Sequence, residues 1–383
     1  MTTIAIRYRM LMYAVALCAC FAAGFTLLEA LRPKVYSIPS GKVNVYLTHK
    51  DSYQMLFIGD SRTYTDIQPR VTSPITGRNA YNMASFGLWM PVQYLEFRDV
   101  FGHIPPGTVV VWSLSHRNFM PIGDRWWIPG QYKFTLKDVA EYVRDGYPAS
   151  RVIREYEESP FSPIDRLVSV RKILVNALGK VVWKRSVGAA ASSASSVPKV
   201  NSPDVVVVTE ALRKDQDVEI IAPVSSGGVV NSIETTRSDG GYDRIIIDHE
   251  YFRKQQAKLW PNHGEGPSAC HVVANDVYMT TFSKILELIA KYRLKVVVNY
   301  IEDAPGSWPS EAERRCARQF MIDSIVPILA QHGIEYVAPD FYPVIDANND
   351  FYFDDSHLIT EGAVMYSQLL GKELQKVLDR KKW

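Results

Sequence analysis

The chain has 383 residues, room for one large domain or two ordinary ones. Hydrophobic residues make up 47% and charged residues 22%, a globular balance that excludes general disorder. With 43 basic and 41 acidic side chains the net charge is +2, so a broad basic face for nucleic acid is excluded.

From Met10 to Leu28 the sequence reads MLMYAVALCACFAAGFTLL, 19 residues without a charge. As a helix this run covers close to the ~30 Å of a hydrocarbon core. Arg7 and Arg9 precede it, and the positive-inside tendency sets the orientation. The reading is residues 1–9 in the cytoplasm, a transmembrane helix over 10–31, and everything after Leu31 in the periplasm or outside the cell. That makes a single-pass protein of the inner (cytoplasmic) membrane. A cleaved signal peptide competes, but the run exceeds the usual apolar region of about 7–15 residues. A lipoprotein signal at Leu17-Cys18-Ala19-Cys20 also competes, against an apolar run that continues past Cys20.

Residues 32–51 carry Pro and Gly with little periodicity and read as a tether. A short apolar run, Gln54–Ile58, then ends at Gly59-Asp60-Ser61. A second, Thr108–Leu114, follows Pro105-Pro106-Gly107. The amphipathic stretch Asp276–Tyr292 leads into Leu294–Tyr300, and the helical pattern Glu311–His332 leads into Ile334–Ala338. Thr360–Leu378 again has helical spacing. Continuous β-branched runs alternating with helical patterns predict a parallel sheet covered on both faces. Right-handed crossovers then give a doubly wound α/β domain over 52–383, with ligands beyond the carboxyl ends of the strands. The stretch at about 120–271 breaks the alternation; it holds Trp126-Trp127 and the low-complexity run Ser186–Pro203. It reads as an insertion, partly helical, forming a lid or a docking surface. Cys270 and Cys316 are either a disulfide, if this part is exported, or two separate buried thiols. No Cys/His cluster has zinc spacing, so neither a metal nor a cofactor is expected.

Two short segments carry chemistry. A strand that ends in Gly59-Asp60-Ser61 lets the chain turn sharply and presents the serine hydroxyl near backbone N–H groups at a helix start. The plainer reading is an ordinary N-cap. In Phe353-Asp354-Asp355-Ser356-His357-Leu358, a carboxylate three residues before a histidine can orient one imidazole nitrogen and leave the other for a hydroxyl. The plainer reading is a solvated acidic loop.

Together these segments resemble the SGNH/GDSL hydrolase superfamily, over about 54–119 and 275–380. The resemblance implies a flavodoxin-like three-layer α/β/α domain. It makes Ser61 the nucleophile, His357 the base and Asp354 the orienter, with the Ser61 N–H as one oxyanion donor. The family's second block matches Ala80–Gly87, giving Gly87 as a second backbone donor. Its third block, normally Gly-x-Asn-Asp, here reads Ser115-His116-Arg117-Asn118. Asn118 is the candidate third donor; His116 or Arg117 are alternatives, as is a hole with two donors. Arg62 is a candidate to hold an anionic substrate group, or forms a surface salt bridge. Asp248-His249 could imitate the orienter–base pair, but it lies in the insertion.

An anchored SGNH-like domain with a large insertion is similar to the accessory acyltransferases of envelope polysaccharides, the alginate O-acetyltransferase type among them. The expectation is an O-acyltransferase, of acetyl groups above all, acting on a cell-envelope polysaccharide or exopolysaccharide through a serine acyl-enzyme. Its partner would be an integral membrane acyltransferase of the MBOAT class. An esterase or deacetylase using the same residues, and a catalytically silent polysaccharide-binding scaffold, are the alternatives.

Overall fold

The computed structural model of the protein describes residues 12–13, 38–86, 89–120, 134–158, 218–226, 229–246, 274–304, 308, 311–339, 351–354 and 356–383. The chain divides into two compact units, one of residues 1–37 with 130–192 and one of 38–129 with 193–383. In the first, helices Leu136–Arg144 and Ala149–Glu158 are described. The former starts at a capping box between Thr135 and Asp138, and Phe134, Tyr142, Tyr147 and Tyr156 pack around it.

The second unit is α/β. Its parallel sheet contains β1 (Met55–Ile58), β2 (Ala80–Asn82), β3 (Val109–Leu114), β7 (Lys295–Tyr300) and β8 (Glu335–Val337), in the order β2-β1-β3-β7-β8. The register pairs Met55 with both Ala80 and Val109, Val109 with Lys295, and Val297 with Glu335. The four strands predicted from apolar runs are β1, β3, β7 and β8. The three-residue β2 was not predicted.

Alternate side chains of each strand enter opposite cores, which is why the strands read as unbroken apolar runs. Leu56, Ile58, Val110, Trp112 and Val298 face one core, packed on Phe97 of helix Met90–Val100 and on Phe282 and Ile285 of helix Asp276–Tyr292. Met55, Phe57, Val109, Val111 and Val297 face the other, packed on Leu370, Leu374 and Val377 of the last helix, Thr360–Lys381. Sheet and helices therefore stack in a manner consistent with a three-layer α/β/α fold.

Two expectations need correction. The tether predicted at 32–51 contains a helix, Ile38–His49, whose Val43 and Tyr46 are buried in the first of these cores. Pro39 and Gly41 disguise an apolar stripe at Val43, Tyr46 and Leu47, spaced three and four apart. The insertion, expected to be partly helical, also forms an antiparallel sheet of β4 (Val218–Ser226), β5 (Val229–Arg237) and β6 (Tyr242–Ile246). The turn joining β5 to β6 is fastened to the main sheet: Asn82 N–H donates to the Asp239 carbonyl at 2.9 Å, and the Gln68 side chain donates to the Tyr242 carbonyl. Gly240 (φ +77°) allows this approach, since a Cβ there would lie 2.2 Å from the Asn82 carbonyl oxygen.

Of the predicted membrane span only Met12 and Tyr13 fall among the described residues; no helix among these residues is long and apolar enough to cross a membrane. The run Ser186–Pro203 and Asp248-His249 lie outside the described residues.

Candidate active site

The site forms where β1, β3 and β7 end, at the point where the strand order reverses direction. After Ile58 the chain turns at Gly59 (φ +150°). A Cβ at Gly59 would sit 2.2 Å from the Thr63 hydroxyl and 3.0 Å from the Ser113 carbonyl, so the sharp approach of strand to helix needs glycine. Asp60 caps the helix Ser61–Asp66, its carboxylate accepting the Arg62 N–H at 3.1 Å. Ser61 is the first helical residue. Its N–H makes no hydrogen bond within the helix, as expected for a first-turn donor.

His357 reaches this serine from 296 positions away: Nε2 lies 2.8 Å from Ser61 Oγ. Its Nδ1 lies 2.7 Å and 2.9 Å from the two oxygens of Asp354. Asp354 is itself fixed, accepting the N–H groups of Ser356 and His357 at 2.9 Å each. The carboxylate thus favours the proton on Nδ1 and leaves Nε2 to accept from the serine. Burial alone would lower the basicity of His357, but the Asp354 hydrogen bond and the charges of Asp354 and Asp66 outweigh it and hold the imidazole above its ordinary value. Burial alone would raise Asp354; its hydrogen bonds and the His357 charge bring it down to about 2. Ser61, His357 and Asp354, expected together from sequence, are together.

A second set of charges lies one residue away, paired with one another among the described residues. Arg62 is 4% exposed; it bridges Asp60 and, at 3.1 Å, Asp303 in the segment after β7. Asp303 also accepts from Arg117 at 2.7 Å and lies 3.7 Å from His116. Of the two expectations for Arg62, the surface bridge is corrected: its guanidinium is paired with two buried carboxylates. Asn118 is 1% exposed; its carbonyl oxygen accepts the Ser115 N–H at 2.7 Å, and its amide donates to Asp60 at 3.3 Å. The carboxamide thus braces the end of β3 against the Asp60 cap. Burial lowers His116 to about 4, with Asp303 opposing and Arg62 and Arg117 reinforcing the fall, so the imidazole is neutral at pH 7. It packs on Trp308, ring centres 4.7 Å apart. Gly87 lies outside the described residues.

Sequence reasoning missed three contributors. Phe86, 40% exposed, stands edge to face with the His357 ring at 6.1 Å. It is propped by Tyr64 at 5.0 Å and by Tyr242 of the inserted sheet at 6.0 Å. Asp303, the hub of the second network, carries no local motif. Asp66, the last residue of the helix that Ser61 begins, carries none either. Among the described residues no group of three or more His, Cys, Asp or Glu could hold a metal ion. Cys316 is disulfide-bonded; Cys270, its expected partner, lies outside the described residues. No protein-family model matches the chain, and no curated protein matches it.

Proposed function

We propose that this protein is a serine acyltransferase of the SGNH type, with a flavodoxin-like domain. It places acyl groups, acetyl above all, on hydroxyls of an envelope polysaccharide or exopolysaccharide outside the cytoplasm. The observation that carries this reading is the chain of contacts from Ser61 Oγ through the His357 ring to Asp354. An ordinary helix cap leaves its serine without such a partner, and a solvated loop does not hold an imidazole between a carboxylate and a hydroxyl.

The chemistry follows from these atoms. His357 Nε2 accepts the Ser61 proton as Oγ bonds to the acyl carbon of the donor. On this reading the Ser61 N–H donates to the developing oxyanion. The imidazolium returns its proton to the departing group, leaving acyl-Ser61. A sugar hydroxyl then gives its proton to His357 and attacks the acyl carbon, and Ser61 Oγ takes the proton back as it leaves. On this reading an MBOAT-class membrane acyltransferase delivers the donor and residues 10–31 anchor the chain. The disulfide at Cys316 accords with an oxidising compartment.

The test supplies p-nitrophenyl acetate as donor and soluble envelope oligosaccharides as acceptors. Acetylated sugar, lost in Ser61→Ala, supports the transferase; free acetate alone, equally lost, makes the protein an esterase. Turnover that persists in Ser61→Ala contradicts both. A reporter fused after Leu31 should be active only outside the cytoplasm.

A further inference from the structure

Asp66 ends the helix that Ser61 begins, yet it stands outside the triad. It is 1% exposed. Its Oδ1 accepts the Thr65 hydroxyl at 2.6 Å and the Leu358 N–H at 2.9 Å. Leu358 directly follows His357, so one carboxylate oxygen ties the nucleophile's helix to the base's loop across 292 positions. The same helix end is fastened to the last helix, where Ser367 Oγ donates to the Asp66 carbonyl at 3.3 Å and accepts the Gln68 N–H at 2.8 Å. The other oxygen, Oδ2, is buried without a hydrogen-bond partner. Asp66 also borders a cavity of about 10 Å³, room for one water.

An unpaired buried carboxylate oxygen costs stability that an apolar residue would avoid. The groups that face it say what the charge does. They are His357 from the loop, Arg62 from its own helix, Glu302 and Tyr300 at the end of β7, and Tyr352 and Tyr366 from the elements that close the cavity. Burial pushes Asp66 up to about 7, against the opposing pull of the His357 charge, the Thr65 and Leu358 hydrogen bonds and Arg62. In return its negative charge raises His357.

Resting on the acyl-serine reading above, we propose that Asp66 is a positioning residue. It holds the His357 loop against the Ser61 helix and, as an anion, supports the imidazolium that forms when His357 takes the serine proton.

Two variants separate these roles. Asp66→Asn keeps an acceptor for the Leu358 N–H and removes the charge; Asp66→Ala removes both. The readouts are the NMR titration of the His357 ring nitrogens and the pH profile of Ser61 labelling by a fluorophosphonate. Asp66→Asn should move the His357 titration and the acid limb of labelling to lower pH together. Asp66→Ala should also cut the labelling rate at its optimum, roughly tenfold to a hundredfold below that of Asp66→Asn, through lost alignment. A His357 titration unmoved in folded Asp66→Asn overturns the proposal, as does folded Asp66→Ala that labels as fast as Asp66→Asn. If Asp66→Ala does not fold, the titration in Asp66→Asn decides. Wild-type protein that never labels removes the acyl-serine reading, while the NMR titration still judges Asp66.

Discussion

Asp60 and Ser61 are neighbours in sequence, yet their side chains join two different sets of charges. Ser61 opens a line through His357 to Asp354, whose side chains keep 18% and 29% of their exposure. Asp60 joins a second group with Arg62 and Asp303, whose side chains keep 5% and 1%. The open line ends on the hydroxyl of half-buried Ser61. The second group pairs buried charges of opposite sign and binds the ends of β1, β3 and β7 together. Desolvated charges that cancel one another serve as structure, whereas an imidazole nitrogen aimed at a half-buried hydroxyl suits proton transfer.

Substitutions should break the two sets in different ways. Ser61→Ala should lower acyl turnover by on the order of 10⁶-fold. The same variant should shift the unfolding free energy in urea by less than about 1 kcal/mol. Asp354→Asn should cost about 10⁴-fold in turnover by losing control of the tautomer, again with the fold intact by circular dichroism. In the second group the loss falls on stability: Asp303→Ala leaves Arg62 buried without its second partner and should cost about 3–5 kcal/mol in a urea melt. Gly59→Ala bridges the two, because the added Cβ must push Thr63 and the helix that Ser61 starts. It should lower turnover by roughly a hundredfold and stability by about 1–3 kcal/mol.

The smallest effect is one of pH. His357 acts as a base only when neutral, and its folded value lies above the ordinary imidazole value. Turnover should therefore fall about tenfold per pH unit below that folded value. Stability has the opposite sign. A raised folded value contributes stability that is present below the unfolded value, about 6.5, and is lost as pH rises through the folded one. A pH series of urea melts should show that loss in the wild type, with Asp66, which burial raises to about 7, losing stability over the same rise in pH.

The sheet was largely legible in the sequence because burial on both faces leaves continuous apolar runs, as in Val109–Leu114 and Lys295–Tyr300. The strand Ala80–Asn82 was not, since three residues are too few to carry a period. The triad was legible only through two short segments read together; nothing local in Ser61 or His357 says that they meet. Arg62 looked free because its second partner, Asp303, lies 241 positions away. Asp66 looked like any helix residue, since its burial depends on the loop and the last helix folding over it. The three antiparallel strands of the insertion were hidden by the low-complexity stretch before them.

The chemistry turns on whether His357 activates the Ser61 hydroxyl. Intact-mass analysis after exposure to a fluorophosphonate, on wild type, Ser61→Ala and His357→Ala in parallel, tests it most directly. Wild type should take up one adduct per chain, mapped to Ser61, absent in Ser61→Ala and strongly slowed in His357→Ala. A folded wild type that takes up no adduct, or an adduct that survives in Ser61→Ala, would contradict that activation.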